Sequence, residues 1–288
     1  MQDLRNKVAV ITGGASGVGR AIGTLLAREG AKVVLADIDQ ARLDQTAAEI
    51  TPEGGTVVGM TVDVTKETSV EALAEQVYAR FGTTHILFNN AGVGLGEAKK
   101  NIWTLGLNDW RWGIDVNVLG VVHGINSFVP RMLAGGEEGV VINTSSTNGG
   151  LRSLPNTPIY AATKAAVTSI SEVLYQQLLR EGGKVRAAVL FPGPNTVNTS
   201  IMASRLVRPA DYKGTEPEEP VAYRTMQELV QTTGLNLALT EPEEVAEFAV
   251  AGVRAGRFWL LPESEHGDQM IRLRTDGLLA RADPVSAW

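Results

Sequence analysis

The feature that most constrains this chain is a set of short, wholly apolar runs rich in Val, Ile and Leu, each followed by a helix-like pattern. KVAVITG precedes a helical stretch near 18–29, KVVLAD precedes another near 40–50, and TVVGMTVDV begins a third unit. A strand that is apolar at every position must be covered on both faces. The intervening helices supply that cover, so the pattern predicts a doubly wound parallel α/β sheet built from βαβ units. The pattern Thr68-x-x-Glu71 reads as a capping box ahead of a helix carrying Val70, Leu73, Val77 and Phe81. HILFNNAG then reads as a fourth strand and its loop, long helices near 107–133 and 157–181 bracket GVVINTSS, and KVRAAVLFPG follows.

Nothing in the spread of apolar segments over 288 residues separates two cores, so one domain spanning 1–288 is expected. From 194 to 238 the pattern degrades into a stretch with four prolines that also carries Met202, Leu206, Val207, Tyr212, Tyr223 and Met226. A long irregular segment inside a compact domain is usually functional, and this one is expected to be a substrate lid. Order returns at Thr240, where T-E-P-E reads as a second capping box, followed by the strand RFWLLP and a helix near 265–281.

Composition removes several classes of function. With 26 basic and 32 acidic residues the net charge is -6, and no Lys/Arg cluster suits a phosphate backbone, so nucleic acid is not an expected partner. No run reaches the ~20 apolar residues that cross a bilayer, and the start MQDLRNKVAVITGG lacks the apolar stretch and small-residue site of a signal peptide. No membrane association and a cytoplasmic location are expected. Cys is absent and the three His (His85, His123, His266) are scattered, so no metal site is expected and the His are read as structural or exposed. The chemistry must come from hydroxyls, carboxylates, Lys or a cofactor.

Directly after the first strand, T-G-G-A-S-G-V-G-R places Gly13, Gly17 and Gly19 in G-x-x-x-G-x-G spacing where a helix begins. Glycines let the backbone approach a pyrophosphate, and the free N–H groups and partial positive charge of the helix start hold it. Ser16 and Val18 lie in the same turn. At the end of the second strand, 18 residues past Gly19, stands Asp37, near the ~20 expected for a carboxylate on the adenosine ribose hydroxyls. Such a carboxylate repels the extra phosphate of NADP, and no Arg or Lys adjoins it, so NAD is expected over NADP. Asp63, followed by Val64, could meet the adenine edge in a similar way or simply close a turn.

Tyr160 and Lys164, in Y-A-A-T-K, fall at i and i+4 on one helix face. A phenol normally titrates near ~10, and lowering it by about 2 to 3 units asks for roughly 3 to 4 kcal/mol, which a close ammonium and a cationic cofactor ring together could supply. A Tyr/Lys pair alone is a common surface feature. Its weight comes from the other motifs: TGGASGVG, NNAG (Asn89 to Gly92), the Asn of DVN (Asn117), a serine pair ending the fifth strand (Ser145, Ser146), and PG (Pro192, Gly193).

In this order, from about residue 5 to 200, these motifs resemble the short-chain dehydrogenase/reductase family. The resemblance implies a Rossmann-type fold and a nicotinamide-dependent oxidoreductase acting on an alcohol or ketone. Tyr160 would be the general acid and base, Lys164 would bind the nicotinamide ribose and depress the tyrosine pKa, and Ser146 would hold the reacting oxygen. Asn117 would hold a water in the proton relay, and Asn90, Ala91 and Gly92 would support the cofactor cleft. Ser146 stands 14 residues before Tyr160 and Ser145 stands 15, against about 13 usual in the family, which favours Ser146. After Pro192 and Gly193 the chain reads P-N-T-V-N-T, leaving Thr196 and Thr199 as candidates for the carboxamide, with Thr199 the better match. The same resemblance implies a homodimer or homotetramer built on the face carrying Ala161, Ala162, Ala165 and Ala166. An NADPH-preferring ketoreductase and a non-catalytic NAD-binding regulator are the competing readings. Trp103, Trp110 and Trp112 are read as packing residues.

Overall fold

The computed structural model describes residues 1–51, 56–98, 100–213 and 220–284. The first half of the chain winds outward from the centre: β1 (Val8–Thr12), α1 (Gly17–Arg28), β2 (Lys32–Asp37), α2 (Gln40–Ile50), β3 (Thr56–Thr61) and α3 (Glu67–Phe81). It then crosses to the other side of β1 with β4 (Ile86–Asn89), α4 (Leu107–Ile114), α5 (Gly120–Gly135), β5 (Gly139–Thr144), α6 (Pro158–Arg180) and β6 (Val185–Leu190). The remainder is β7 (Thr196–Val197), α7 (Met226–Thr233), β8 (Leu239–Thr240), α8 (Pro242–Arg254), β9 (Trp259–Leu260) and α9 (Glu265–Ala280).

The seven strands lie in the order β3-β2-β1-β4-β5-β6-β9, and every pairing is parallel. This is the doubly wound Rossmann-type sheet that the apolar runs predict, and the burial explains their composition. All five residues of β1 are buried, Ala9 and Ile11 packing with Ile22 and Leu26 of α1 and with Val245 and Val250 of α8. Val8 and Val10 pack on the opposite face with Leu73 and Val77 of α3, Phe128 of α5 and Leu174 of α6. Neither face meets water, so no polar alternation is tolerated. Among the buried polar residues, Asn89 donates to Asn143 at 2.9 Å, and Asn143 donates to Ser171 of α6 at 3.0 Å. Among the described residues, no helix is long and apolar enough to cross a membrane.

Several boundaries differ from the sequence reading. α3 begins at Glu67 rather than behind a Thr68 cap, because Asp63 has already closed the turn: its Oδ1 accepts from the Thr65 N–H and hydroxyl, and its N–H donates to Ser69 Oγ. Glu71 is turned instead toward an ion pair with Arg131. The second capping box is displaced by one residue to Glu241 and Glu244, since Thr240 is taken up by β8, which pairs with β7. The expected helix over 107–133 is interrupted at Asp115–Leu119 by a π-helical turn, a local widening often found at functional positions. The expected irregular stretch 194–238 is more ordered than predicted where it is described: β7, 3-10 turns over Ile201–Val207 and Ala210–Tyr212, and α7; residues 214–219 of it lie outside the described residues. α9 forms where expected, but none of its residues is buried.

His85 is structural, as the sequence reading has it. It is buried at the start of β4, where Nδ1 accepts the Val8 N–H at 3.0 Å, which leaves the proton on Nε2 to meet Glu137 at 3.0 Å. Burial lowers its pKa and favours that neutral form. Of the tryptophans, Trp112 is fully buried with the Arg208 guanidinium 5.0 Å from its ring, whereas Trp103 is 80% exposed and packs little.

Candidate active site

In a doubly wound sheet the ligand crevice opens beyond the carboxyl ends of the strands at the place where the strand order reverses, here between β1 and β4. Thr12, ending β1, ties the two strands together at that point. Its hydroxyl donates to Phe88 O at 3.3 Å and accepts the N–H groups of Asn90 at 3.0 Å and Ala91 at 3.1 Å. Asn90 returns its amide N–H to Thr12 O at 3.1 Å and accepts from Thr144 of β5 at 3.3 Å. The residues read as cleft support therefore brace three strand ends.

The glycine turn fits against this brace with no room for side chains. A Cβ on Gly19 would lie 2.2 Å from Gly13 O, and one on Gly13, at φ +68, would lie 2.9 Å from Ala91 Cα. Gly17 has φ +51 and opens α1, while Ser16, its N-cap, makes no side-chain cap, so the N–H groups of the first turn, Val18 included, remain for an anion. Asp37 closes the other side of the cradle: its Oδ2 accepts the Ala15 N–H at 3.1 Å. Burial raises the Asp37 pKa, and the N–H groups of Ala15, Asp39 and Ile38 oppose the rise. Asp63 lies next to the following strand, its carboxylate occupied by Thr65 and by Lys66 at 3.3 Å. Val64 is buried, and its carbonyl bonds His123 Nδ1 at 2.9 Å. Of the two threonines after Gly193 (φ +72), Thr199 is the one placed at the cradle: its Cγ2 would be 3.1 Å from a Cβ on Gly17, whereas Thr196 lies in β7 paired with Leu239.

Tyr160, Lys164, Ser146 and Asn117 converge at the ends of β4 and β5. The two adjacent serines are used differently. Ser145 is buried, its Oγ donating to Lys164 O at 2.9 Å and lying 2.7 Å from Thr168 Oγ1, so it anchors α6 from beneath. Ser146 lies beside Tyr160 and acts to lower its pKa, and its Oγ accepts the Asn148 N–H at 3.2 Å. The tight turn after Ser146 needs a glycine at Gly149, where φ is +96 and a Cβ would strike Ala161 O. Ala161, expected on an intersubunit face, is thus buried within the chain.

Lys164 is 3% exposed, and its Nζ donates to Thr144 O at 2.8 Å, 5.6 Å from the centre of the Tyr160 ring. Burial lowers its pKa from 10.5 to about 8. In the protein without cofactor, burial raises the pKa of the Tyr160 hydroxyl and Ser146 opposes the rise.

The Asn117 amide is engaged at both N–H groups and at one lone pair of Oδ1. It accepts the Val93 N–H at 2.8 Å and donates to Val93 O at 3.2 Å and Thr163 Oγ1 at 3.1 Å. A residue absent from the sequence reading also enters the site. Glu97, 2% exposed, accepts the N–H groups of Ile159 and Tyr160, each at 2.9 Å. Nothing in the sequence marks it, since the contact spans more than 60 positions and obeys no helical period. Beside Ser146 and the Pro192-Gly193 turn lies a cleft lined by Thr147, Leu151, Pro194, Leu261, Met270 and Ile271, with Arg152 and His266 also on its wall.

A glycine cradle with an uncapped helix start, a carboxylate one strand away and a Tyr/Lys/Ser cluster together define a dinucleotide-binding oxidoreductase site. The sequence profile of the short chain dehydrogenase family matches residues 7–207, and the chain belongs to that family. A short chain dehydrogenase/reductase from Burkholderia phymatum solved with NAD shares 34% identity and a TM-score of 0.89, covering 100% of this chain and 99% of that one. The CLA biosynthesis dehydrogenase/reductase of Lactiplantibacillus plantarum is 31% identical over 96% of both chains. An alcohol dehydrogenase from the archaeon Thermococcus sibiricus, complexed with 5-hydroxy-NADP, is 28% identical with a TM-score of 0.65, covering 86% of this chain and 89% of that one. The cradle therefore suits a nicotinamide dinucleotide.

Below about pH 8 Lys164 is cationic in the folded and unfolded chain alike, and its burial costs stability; between about 8 and 10.5 only the unfolded chain keeps the proton, so the cost fades as pH rises. The drop corresponds to about 3 kcal/mol. Without cofactor, Lys164→Met is expected to raise the free energy of urea unfolding at pH 7 by about 1 to 3 kcal/mol, with a smaller gain near pH 10. Equal stability of the two proteins at pH 7 would show that the Thr144 bond offsets the burial.

Proposed function

We propose that the protein interconverts a secondary alcohol and a ketone with NAD as cofactor, Tyr160 moving the hydroxyl proton. The observation that carries this reading is the placement of Tyr160 beside Ser146, with Lys164 Nζ 5.6 Å from the centre of the Tyr160 ring and donating to Thr144 O, next to the glycine-lined crevice. When bound, the nicotinamide accepts or supplies the hydride and, in its oxidised form, adds a positive charge to the site. Gly13, Ser16, Gly17, Val18 and Gly19 would hold the pyrophosphate, Asp37 the adenosine ribose, and Asp63 with Val64 the adenine side. Asn90, Ala91 and Gly92 would line the floor, and Pro192, Gly193 and Thr199 would meet the carboxamide. Lys164 would bind the nicotinamide ribose.

The work of the chain's own residues follows from their contacts. In ketone reduction a neutral Tyr160 hydroxyl donates its proton to the carbonyl oxygen, and burial keeps that hydroxyl neutral until needed. In oxidation Tyr160 acts as its phenolate, which takes the alcohol proton and becomes the neutral phenol; Ser146 Oγ steadies the reacting oxygen, and the Lys164 ammonium favours the phenolate. Both amide N–H groups of Asn117 are taken, and the second lone pair of its Oδ1, beside the Val93 N–H, is where a relay water would bond.

The cleft beside Ser146 is walled mainly by Leu151, Pro194, Leu261, Met270 and Ile271, which supports a hydrophobic or ring-containing substrate; of the expected lid over 194–238, Pro194 reaches this cleft. Asp37 supports NAD over NADP, since a second anion there would meet a half-buried carboxylate. A shallow groove on the outer face of α5 and α6, lined by Ile125, Ile170, Val173 and Leu174, with Val173 50% exposed, supports a homodimer or homotetramer; a monomeric mass by light scattering would remove that part.

A panel of secondary alcohols, including cyclohexanol and a benzylic alcohol, is followed by NADH absorbance. Tyr160→Phe is expected to lower turnover at least ~1,000-fold while NADH binding, read by fluorescence quenching, stays unchanged. Near-normal turnover would remove Tyr160 from the reaction. Asp37→Ala is expected to narrow the NAD to NADP preference at least ~10-fold in kcat/KM, and a wild type that prefers NADP would overturn the cofactor assignment.

A further inference from the structure

The first turn of α6, which carries Tyr160, has no local cap. Thr157 occupies the N-cap position, but its side chain bonds none of the helix N–H groups; its Oγ1 accepts Asn148 Nδ2 at 2.6 Å instead. Pro158 at the first helical position has no N–H to satisfy, and the Ala161 N–H reaches Thr157 O at 2.9 Å. Two donors remain, on Ile159 and on Tyr160 itself, and the two oxygens of Glu97 take one each. A carboxylate from another part of the chain thus completes the helix on which the proposed acid and base stands.

Glu97 is itself held on several sides. It ends a five-residue segment that starts at Val93, whose N–H and carbonyl are both bonded to the Asn117 amide. Gly94 donates its N–H to Ser204 in the 3-10 turn over Ile201–Val207, and Gly96 takes φ +64 with the Arg205 guanidinium packed against it. Burial raises the Glu97 pKa, and the two N–H groups counter the rise.

We infer that Glu97 is a positioning residue for proton transfer: its buried carboxylate fixes the backbone of Tyr160 and thereby the place of the phenol relative to Ser146 and to the 93–97 segment braced by Asn117. The inference rests on Tyr160 being the proton-transferring group. Glu97 touches neither the cradle nor Asp37, so its removal acts on the reaction and spares dinucleotide binding. An error of about 1 Å in the place of a reacting group can cost on the order of 100-fold in rate.

The test uses the full chain, with NADH as the binding probe and the fastest alcohol of the panel as substrate. Glu97→Ala is expected to lower kcat at least ~30-fold, and Glu97→Gln, which keeps one acceptor oxygen, about 5- to 10-fold, with the NADH dissociation constant within ~2-fold of wild type in both. Should Glu97→Ala fail to fold, Glu97→Gln decides by the same split. A kcat within twofold of wild type, or an NADH affinity that falls in parallel with kcat, would overturn the inference. Tyr160→Phe run alongside separates the two readings: if it is active the proton-transfer assignment fails, and if it is inactive while the Glu97 variants turn over normally only the positioning role fails.

Discussion

The structure depends on the Thr12 hydroxyl at the reversal of strand order. The connections that follow the parallel strands β1 and β4 lead to opposite sides of the sheet order, so the two chains part beyond their carboxyl ends, where their backbone groups would face an open crevice. Thr12 holds them by giving one hydrogen bond to Phe88 and taking two from Asn90 and Ala91, and Asn90 extends the hold to Thr144. The glycine turn can then lie within van der Waals reach of the 90–91 backbone, close enough that a single Cβ at Gly13 or Gly19 would displace it. The same Thr144 gives its carbonyl to Lys164. Cofactor cradle and proton-transfer cluster are therefore built on one set of strand ends.

Electrostatically the site is held in a state that folding alone disfavours. Lys164 is buried with one carbonyl partner and its pKa falls to about 8, while the phenol of Tyr160 is pushed the other way. Both shifts have the same cause, exclusion of water, and both move the groups toward their neutral forms. A cationic ring in the crevice would shift that balance toward the phenolate, so the protein alone need not carry the whole change in the tyrosine.

The segment after Val197 is attached to this framework by buried polar contacts rather than by an apolar face. Arg208 pairs with Asp109 at 2.7 Å while lying over Trp112, Tyr212 donates to Asp115 at 2.9 Å, and Ser204 accepts from Gly94. Asp115 is the first residue of the π-helical turn that contains Asn117. The segment after Val197 and the loop ending in Glu97 thus share neighbours.

What the sequence determined by itself was whatever depends on local pattern: apolar strands because both sheet faces are covered, the glycine turn because close backbone approach excludes side chains, and the Tyr160/Lys164 pair because i and i+4 share a helix face. Those features rest on short-range geometry that residue spacing encodes directly. Tertiary structure alone decided the rest, because it turned on contacts between distant segments competing for the same groups. Thr68 lost its cap to a turn closed by Asp63, Thr240 lost its cap to pairing with β7, and Thr157 was diverted to Asn148, leaving Glu97 to complete α6. The direction of the tyrosine pKa was likewise beyond the sequence, since it is set by how much water the fold excludes.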